Sequence, residues 1–595
     1  MLAPDARVVL LDQLRPPYGY RLDAAVATSF TLDLTTAIIP TLAFAAFELH
    51  STPDPIAALE AIRLCADRFD IFCQAGQIRI PSQASDLIAY LEPMIHEVRR
   101  PRPGYLFHPK IWFLRYTSPN EADEYRLLCS TRNLTPDRSW DAIVRIDGRR
   151  AGSPNAGNRP LSSLIRHLPQ LAVSPLGDDR RERIAGLAED ARHIEWDLPE
   201  DVREIAFHAL GVPSERPIVD FSGYKHLIVS PFCNDEGLEL LTSPASDVTL
   251  VSRVEALDRL SPEMIEGVHT FVINPLAGLA DPDDTVVEAS SENFSGLHAK
   301  IIVVERNRKA HVFIGSANAT SAAFGGNVEF VIELMGGATK LGVDTFLADS
   351  APFRQLLEHY DTSVDSEALP VDDDLKAVEN VLRDIASHRF SLTITPASAD
   401  YDARLASESA LALPNGFTAT VELLTRPGLA VTLSADTPVD ARFAAVPLPD
   451  ITPFVAVRAT TPSDLTRGTV IRAELVNDPA NRLDEILVRQ VDTPEKFLRF
   501  LALLLGLADP GLPLDPADSD GATGTGQYLR GAGTAGILEL VMRALVARPN
   551  SLIDLDRLVD RLRATENGRA ILPPGFDRLW PTVMGAVARL QKANT

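Results

Sequence analysis

The chain has 595 residues, 45% of them hydrophobic, and no long low-complexity tract, which excludes a fibrous or largely disordered protein and leaves material for several cores. A formal net charge of −24 argues against a protein that coats nucleic acid indiscriminately, because such binding draws on Lys and Arg neutralising phosphates. The four cysteines, Cys65, Cys73, Cys129 and Cys233, form no CxxC pair, which speaks against both a disulfide framework and a zinc site.

From the N-terminus, no basic segment leads into an apolar one, so no signal peptide is expected and the address reads as cytoplasmic. Asp23 to Phe30 reads as a buried strand. The apolar stretch from Leu34 to Phe47 has 14 residues and contains Pro40, too short to span a bilayer and better suited to a buried helix. Phe69 to Cys73 is a second strand. Then comes Phe107-His108-Pro109-Lys110-Ile111-Trp112, followed by Ser130-Thr131-Arg132-Asn133-Leu134-Thr135.

The same succession returns later. His226 to Phe232 resembles Asp23 to Phe30, and Val248 to Ser252 corresponds to Phe69 to Cys73. Leu297-His298-Ala299-Lys300-Ile301-Ile302 then leads to Gly315-Ser316-Ala317-Asn318-Ala319-Thr320. Downstream of both blocks, Ser139 to Val144 lies over Asn327 to Ile332, which puts Asp141 and Glu329 at one position of the repeat. On a strand, His108 and Lys110 share a face, as do His298 and Lys300. The apolar runs Ile111 to Leu114 and Ile301 to Val304 fit strands covered on both faces. The lysines are informative because the chain has only eight, and two follow these histidines in register.

Both blocks resemble the HxK…N signature of the phospholipase D superfamily, which includes lipases, phosphatidyltransferases, nucleases and tyrosyl-DNA phosphodiesterases. The second copy reads GSxN directly, whereas the first has Ser130-Thr131 in place of Gly-Ser. The family's Asp, five positions after the Lys, is replaced by Arg115 and Glu305, a departure shared with the tyrosyl-DNA phosphodiesterase branch. The resemblance implies an α/β fold: two tandem α/β sandwich halves, 1–205 and 206–370, form one pseudo-twofold core with a single site. It implies a two-step reaction through a phosphohistidine, with His108 and His298 as nucleophile and general acid/base in an order left open. Lys110, Lys300, Asn133 and Asn318 would bind the non-bridging oxygens, and Asp141 and Glu329 would orient the imidazoles. Thr131 and Ser316, small hydroxyl residues before the next helix, are candidate phosphate binders. No metal or other cofactor is expected.

After the second block, an amphipathic helix is expected from Asp372 to Ala386, with Val378, Val381, Leu382 and Ile385 at helical spacing. Short alternating strands at 390–491 suggest a β-sandwich-like domain over 371–492. The rest, 493–595, reads as a small helical domain: a helix from Pro494 to Leu507, a glycine-rich linker at 509–536, and two or three helices ending near Lys592.

Charge is unevenly spread. Residues 99–150 hold 11 Lys and Arg against 6 Asp and Glu, whereas 201–400 hold 14 against 32. Arg115, Arg126, Arg132 and Arg138 are therefore candidate contacts to a polyanion, with pairing to Glu121, Asp123, Glu124 and Asp137 as the plainer alternative. DNA is the favoured substrate of a phosphodiesterase or nuclease, with lipid hydrolysis or transfer and a non-catalytic nucleic-acid-binding subunit as alternatives. No membrane attachment is expected. Bacterial proteins of this layout often accompany helicases or restriction and phage-defence systems, so a helicase or other defence protein is the partner suggested by analogy. Oligomerisation is left open.

Overall fold

The computed structural model of the protein describes residues 10–44, 62, 65–82, 86–137, 139–243, 245–274, 296–360, 373–398, 400–480 and 482–490, with part of 493–594. The expected linker at 509–536 and most of the expected helix from Pro494 to Leu507 lie outside the described residues, as does Arg138. The fold is mixed α/β.

The first sheet takes β1 (Arg21–Ser29), β3 (Phe69–Gln74), β5 (Ile95–Val98), β6 (Ile111–Thr117), β7 (Glu124–Ser130), β8 (Ile143–Arg150) and β9 (Ile194–Trp196), in the order β5-β3-β1-β6-β7-β8-β9. Two short strands between these, β2 (Leu32–Asp33) and β4 (Ile78–Arg79), belong elsewhere. The second sheet takes β10 (Val202–Leu210), β11 (Lys225–Val229), β12 (Asp247–Ser252), β13 (His269–Ile273), β14 (Ile301–Arg306), β15 (Lys309–Gly315), β16 (Glu329–Gly337) and β17 (Leu357–His359). Its order is β10-β16-β15-β14-β11-β12-β13-β17.

Read in opposite directions, the two orders share a run of six strands, β5-β3-β1-β6-β7-β8 matching β13-β12-β11-β14-β15-β16; the second sheet adds β17 at one edge, and at the other edge β10 precedes β11 in the chain whereas β9 follows β8. In each, the strand after the His-x-Lys segment is antiparallel to the half's opening long strand (β6 on β1, β14 on β11), which is parallel to the next (β3 or β12). Parallel neighbours need long crossovers and antiparallel ones need only hairpins, so the sequence spacing dictates this mixture.

Both sheets are covered on both faces, as their continuous apolar runs require. Ile111 and Phe113 of β6, with Ile301 and Val303 of β14, enter one core shared by the two sheets. Trp112 and Leu114 enter a separate core on the outer face of the first sheet, and Ile302 and Val304 one on the outer face of the second. Helices Arg159–Leu171 and Asp178–Ala191 contribute Leu161, Leu164, Ile184 and Leu187 to the shared core.

The C-terminal β-rich region forms two sheets around their own core, joined by Val378, Val381, Leu382 and Ile385 of helix Asp373–Ala386. One sheet has four strands from 390–476. The other has six, and two of them are β2 and β4, so the first sheet's connecting loops complete it. Buried polar contacts reinforce the seam. Arg482 donates to Glu92 at 2.7 Å, Thr452 Oγ1 donates to Glu92 at 3.0 Å, and Arg472 N donates to Glu97 at 2.7 Å. Burial pushes the Glu97 carboxyl up to about 8. No helix among the described residues is long and apolar enough to cross a membrane.

Candidate active site

The two His-x-Lys segments meet because each pairs with the other half. Phe107 bridges Val328 in parallel: His108 N donates to Val328 O and Val328 N to Leu106 O, both at 2.8 Å. In the reciprocal contact Leu297 bridges Trp140, with Trp140 N donating to Gly296 O at 3.0 Å and His298 N to Trp140 O at 2.8 Å. Each His-x-Lys segment thus lies against the carboxylate-bearing segment of the opposite copy.

The consequence is a hydrogen bond across the halves. His108 Nδ1 lies 3.0 Å from Glu329 Oε2. Ser316 Oγ donates to the same oxygen, and Asn327 Nδ2 donates to Oε1 at 3.0 Å. The other two contacts are both donors, so the carboxylate is the acceptor throughout and His108 Nδ1 carries the hydrogen. That leaves the Nε2 lone pair of a neutral His108 free. Burial pushes Glu329 up, but His108, Lys110 and the Ser316 hydroxyl outweigh it and hold the carboxyl below its ordinary range. Burial lowers His108 against the opposing pull of Glu329.

Both lysines are buried, 1% and 3% exposed, which rules out snorkelling surface chains. Lys110 Nζ donates to His108 O at 2.8 Å. Lys300 Nζ donates to His298 O at 2.8 Å, to Thr131 O across the halves at 3.5 Å, and lies 3.4 Å from His298 Nδ1. An ammonium has three donors, and Lys110 commits one of them to His108 O. Burial lowers Lys110 to about 7, and burial together with Lys110 pushes Lys300 well below its usual value.

His298 has different surroundings. Burial, then Lys300, Lys110, His108 and Arg253, lower it to about 2. Asp141, expected to orient it, has no hydrogen bond to His298; it lies 3.7 Å from Arg132 Nε. That expectation is corrected: Asp141 is a methylene shorter than Glu329 and is drawn to an arginine that has no counterpart in the second copy, where Ala317 stands.

The turns carrying the asparagines are pinned alike. Leu134 N donates to Ser29 Oγ and Ala319 N to Ser230 Oγ, both at 3.0 Å, and Asp33 N and Asn234 N donate to Leu134 O and Ala319 O. Asn133 Oδ1 accepts from Phe30 N at 3.3 Å. Asn318 Oδ1 is buried with no hydrogen-bond partner among the described residues. At Gly315 a Cβ would stand 2.2 Å from Phe330 O, so only glycine lets β15 approach β16 beside this turn.

Three further expectations need correction. Thr131 and Ser316 do not present hydroxyl hydrogens to a ligand: Thr131 Oγ1 donates to Ala142 O and accepts from Ala142 N, while Ser316 Oγ donates to Glu329 and accepts from Phe330 N. A hydroxyl has one hydrogen to give, and both are spent bracing the next strand. Arg115 is not a free cation either, since it pairs with Asp23 and Asp190. Arg126 is likewise tied to Asp147 and two backbone carbonyls. The pairing alternative applies, with different partners from those expected. Arg132 is partly exposed and donates to Thr135 O at 2.9 Å.

Sequence reasoning missed Asn327, Ser29, Ser230 and Arg253. The two serines stand at equivalent ends of repeated strands, a signal the repeat itself carries. Arg253 Nε donates to Leu297 O at 2.8 Å, where in the first half Phe107 N donates to Gln74 Oε1 at 2.9 Å. These two positions follow equivalent strands, but Gln and Arg share no motif.

No protein-family model matches this sequence, and no curated protein matches it. Among solved structures, the chain is similar to a mutant of yeast tyrosyl-DNA phosphodiesterase, with 12% identity and a TM-score of 0.34, over 56% of this chain and 85% of that one.

Proposed function

We propose that the protein is a phosphodiesterase of the phospholipase D superfamily, built from two halves about a pseudo-twofold axis and cutting DNA through a phosphohistidine. The observation that carries this reading is the bond between His108 of one copy and Glu329 of the other, which supports a single site shared by two repeated motifs. His108 Nε2, with Nδ1–H held by a carboxylate, is the nucleophile: it forms the bond to phosphorus as the bond to the leaving oxygen breaks. His298, surrounded by cations, is the general acid. An arriving phosphate supplies the negative charge that lets its imidazole take up a proton, and the lowered pKa then makes it a ready donor to the leaving oxygen. In the second step the same nitrogen takes a proton from water as water attacks phosphorus and the P–N bond breaks.

Lys110 and Lys300, with the amides of Asn133 and Asn318, receive the non-bridging oxygens. Asn133 supports the reading: its Oδ1 accepts from Phe30 N, which leaves its amide hydrogens for those oxygens. With Arg115 and Arg126 committed to buried or partly buried carboxylates, Arg253, whose bond to Leu297 O goes to a backbone carbonyl, is an arginine offered to a strand, and Arg132, partly exposed, could turn to one from Asp141. A role beside a helicase or in phage defence rests on layout alone.

The test is cleavage of labelled single- and double-stranded DNA, RNA and phosphatidylcholine liposomes in EDTA, by wild type and by the His108→Ala and His298→Ala variants. DNA cleavage lost in both variants is the expected result. Full activity in His108→Ala would mean that the two motifs do not share one site, and lipid turnover would replace the substrate assignment.

A further inference from the structure

Phe232, 47% exposed, follows β11 and Pro231 at the end of the second half's first repeated strand. The first half also has an aromatic residue here, one position earlier in the register set by Ser29 and Ser230: Phe30, whose ring meets His108 edge-on with centroids 5.2 Å apart, with Lys110 Nζ 6.0 Å from it. Phe232 instead has the Arg253 guanidinium over its ring, 5.3 Å from the centroid. Arg253 in turn donates through Nε to Leu297 O, the residue before His298. Among the described residues Arg253 has no carboxylate partner within ion-pair distance. After the two equivalent serines, the first half thus places a ring against a histidine, whereas the second places its ring one residue further on, beside a cation and 47% exposed.

We propose that Phe232 and Arg253 form a stacking subsite on the His298 side of the site, and that it takes the nucleobase of the leaving nucleotide. This rests on the phosphodiesterase reading above, which makes His298 the proton donor to the leaving oxygen and so puts the leaving group on that side. An aromatic face with an adjacent guanidinium receives any base, because every base has a π-face; it adds affinity without reading sequence. The arginine, braced on the His298 strand, couples the position of that base to the acid.

The test uses the full chain and oligonucleotides whose leaving-side nucleotide carries a base or is abasic, with wild type, Phe232→Ala and Phe232→Tyr. Wild type is expected to prefer the base-bearing substrate in kcat/KM by about tenfold, the order that stacking of one base supplies. Phe232→Ala should collapse that ratio toward one, and Phe232→Tyr should keep it. A wild-type ratio near one, or an equal loss by Phe232→Ala on both substrates, overturns the proposal. A third substrate, DNA ending in a 3′-phosphotyrosine, tests the other occupant: if Phe232→Ala impairs only that cleavage, the ring received is a phenol and the base assignment falls. If wild type cleaves nothing, the phosphodiesterase reading fails separately. Fluorescence anisotropy of base-bearing against abasic oligonucleotides then decides the stacking: a preference that Phe232→Ala abolishes supports it, and none refutes it.

Discussion

Glu329→Gln tests the centre of the proposed chemistry. Three donors, His108 Nδ1–H, the Ser316 hydroxyl and the Asn327 amide, converge on the two oxygens of one carboxylate. Glutamine keeps the shape but has a single oxygen, so at least one donor must face an NH2 group. A hydrogen bond to a charged group contributes about 1.5–3 kcal/mol, so loss of the charge alone costs roughly 10- to 150-fold in rate. If the facing donor is His108, the imidazole turns over to its Nε2–H tautomer and the nucleophilic lone pair is lost. The same error in a serine protease triad costs about 10⁴. The expected result is a fall in kcat of about 10² to 10⁴ with KM changed by no more than a few-fold, because Glu329 acts through His108 and does not touch substrate. Single-turnover cleavage of a labelled oligonucleotide in EDTA measures it, with circular dichroism melts confirming a folded variant. Wild-type kcat in Glu329→Gln, beside an inactive His108→Ala, would refute the reasoning.

Other outcomes follow from the same contacts. Arg115→Ala, which leaves Asp23 and the buried Asp190 short of a cation, should lower stability by about 1–3 kcal/mol in urea titrations while leaving the salt dependence of DNA binding unchanged; a shallower salt slope would restore Arg115 as a DNA contact. Arg482→Ala leaves Glu92 buried and unpaired and should cost about 3–5 kcal/mol, with part recovered in Arg482→Met/Glu92→Gln; a change under about 1 kcal/mol would mean that this seam does not hold the C-terminal region. His298, whose folded pKa is lowered to about 2, leaves the unfolded chain as the better proton binder once the pH falls below about 6.5. Its contribution is therefore complete above that pH and is lost as pH falls, so His298→Gln should destabilise less than wild type between about pH 6.5 and 5, and parallel melting curves would contradict that sign.

The repeated order of strand, strand, His-x-Lys and Asn-bearing turn was legible in the sequence because its signals are local. The apolar runs of β6 and β14 require two covered faces, and each His-x-Lys directly precedes one of these strands; the alternation expected for His108 with Lys110 and His298 with Lys300 does not apply, because the strands begin only at Ile111 and Ile301. The helix at Asp373–Ala386 was legible for the same reason, from its own periodicity. What a side chain meets across the fold was not. Asp141 and Glu329 occupy one position of the repeat, yet the tertiary structure gives one a histidine and the other an arginine. The hydroxyls of Thr131 and Ser316 read as phosphate binders and are spent on strands that follow 11 and 13 residues later. A surplus of arginine in 99–150 looked like a surface for polyanions, until Asp23, Asp147 and Asp190, carboxylates largely outside that segment, were brought against it. Composition counts charges, but only the tertiary structure decides which of them are already neutralised by a neighbour. The sequence alone determined which residue types are present in which local geometry. The crossing of the two halves decided which histidine bonds a carboxylate and which lies beside the lysines, and with it the division of labour proposed between them.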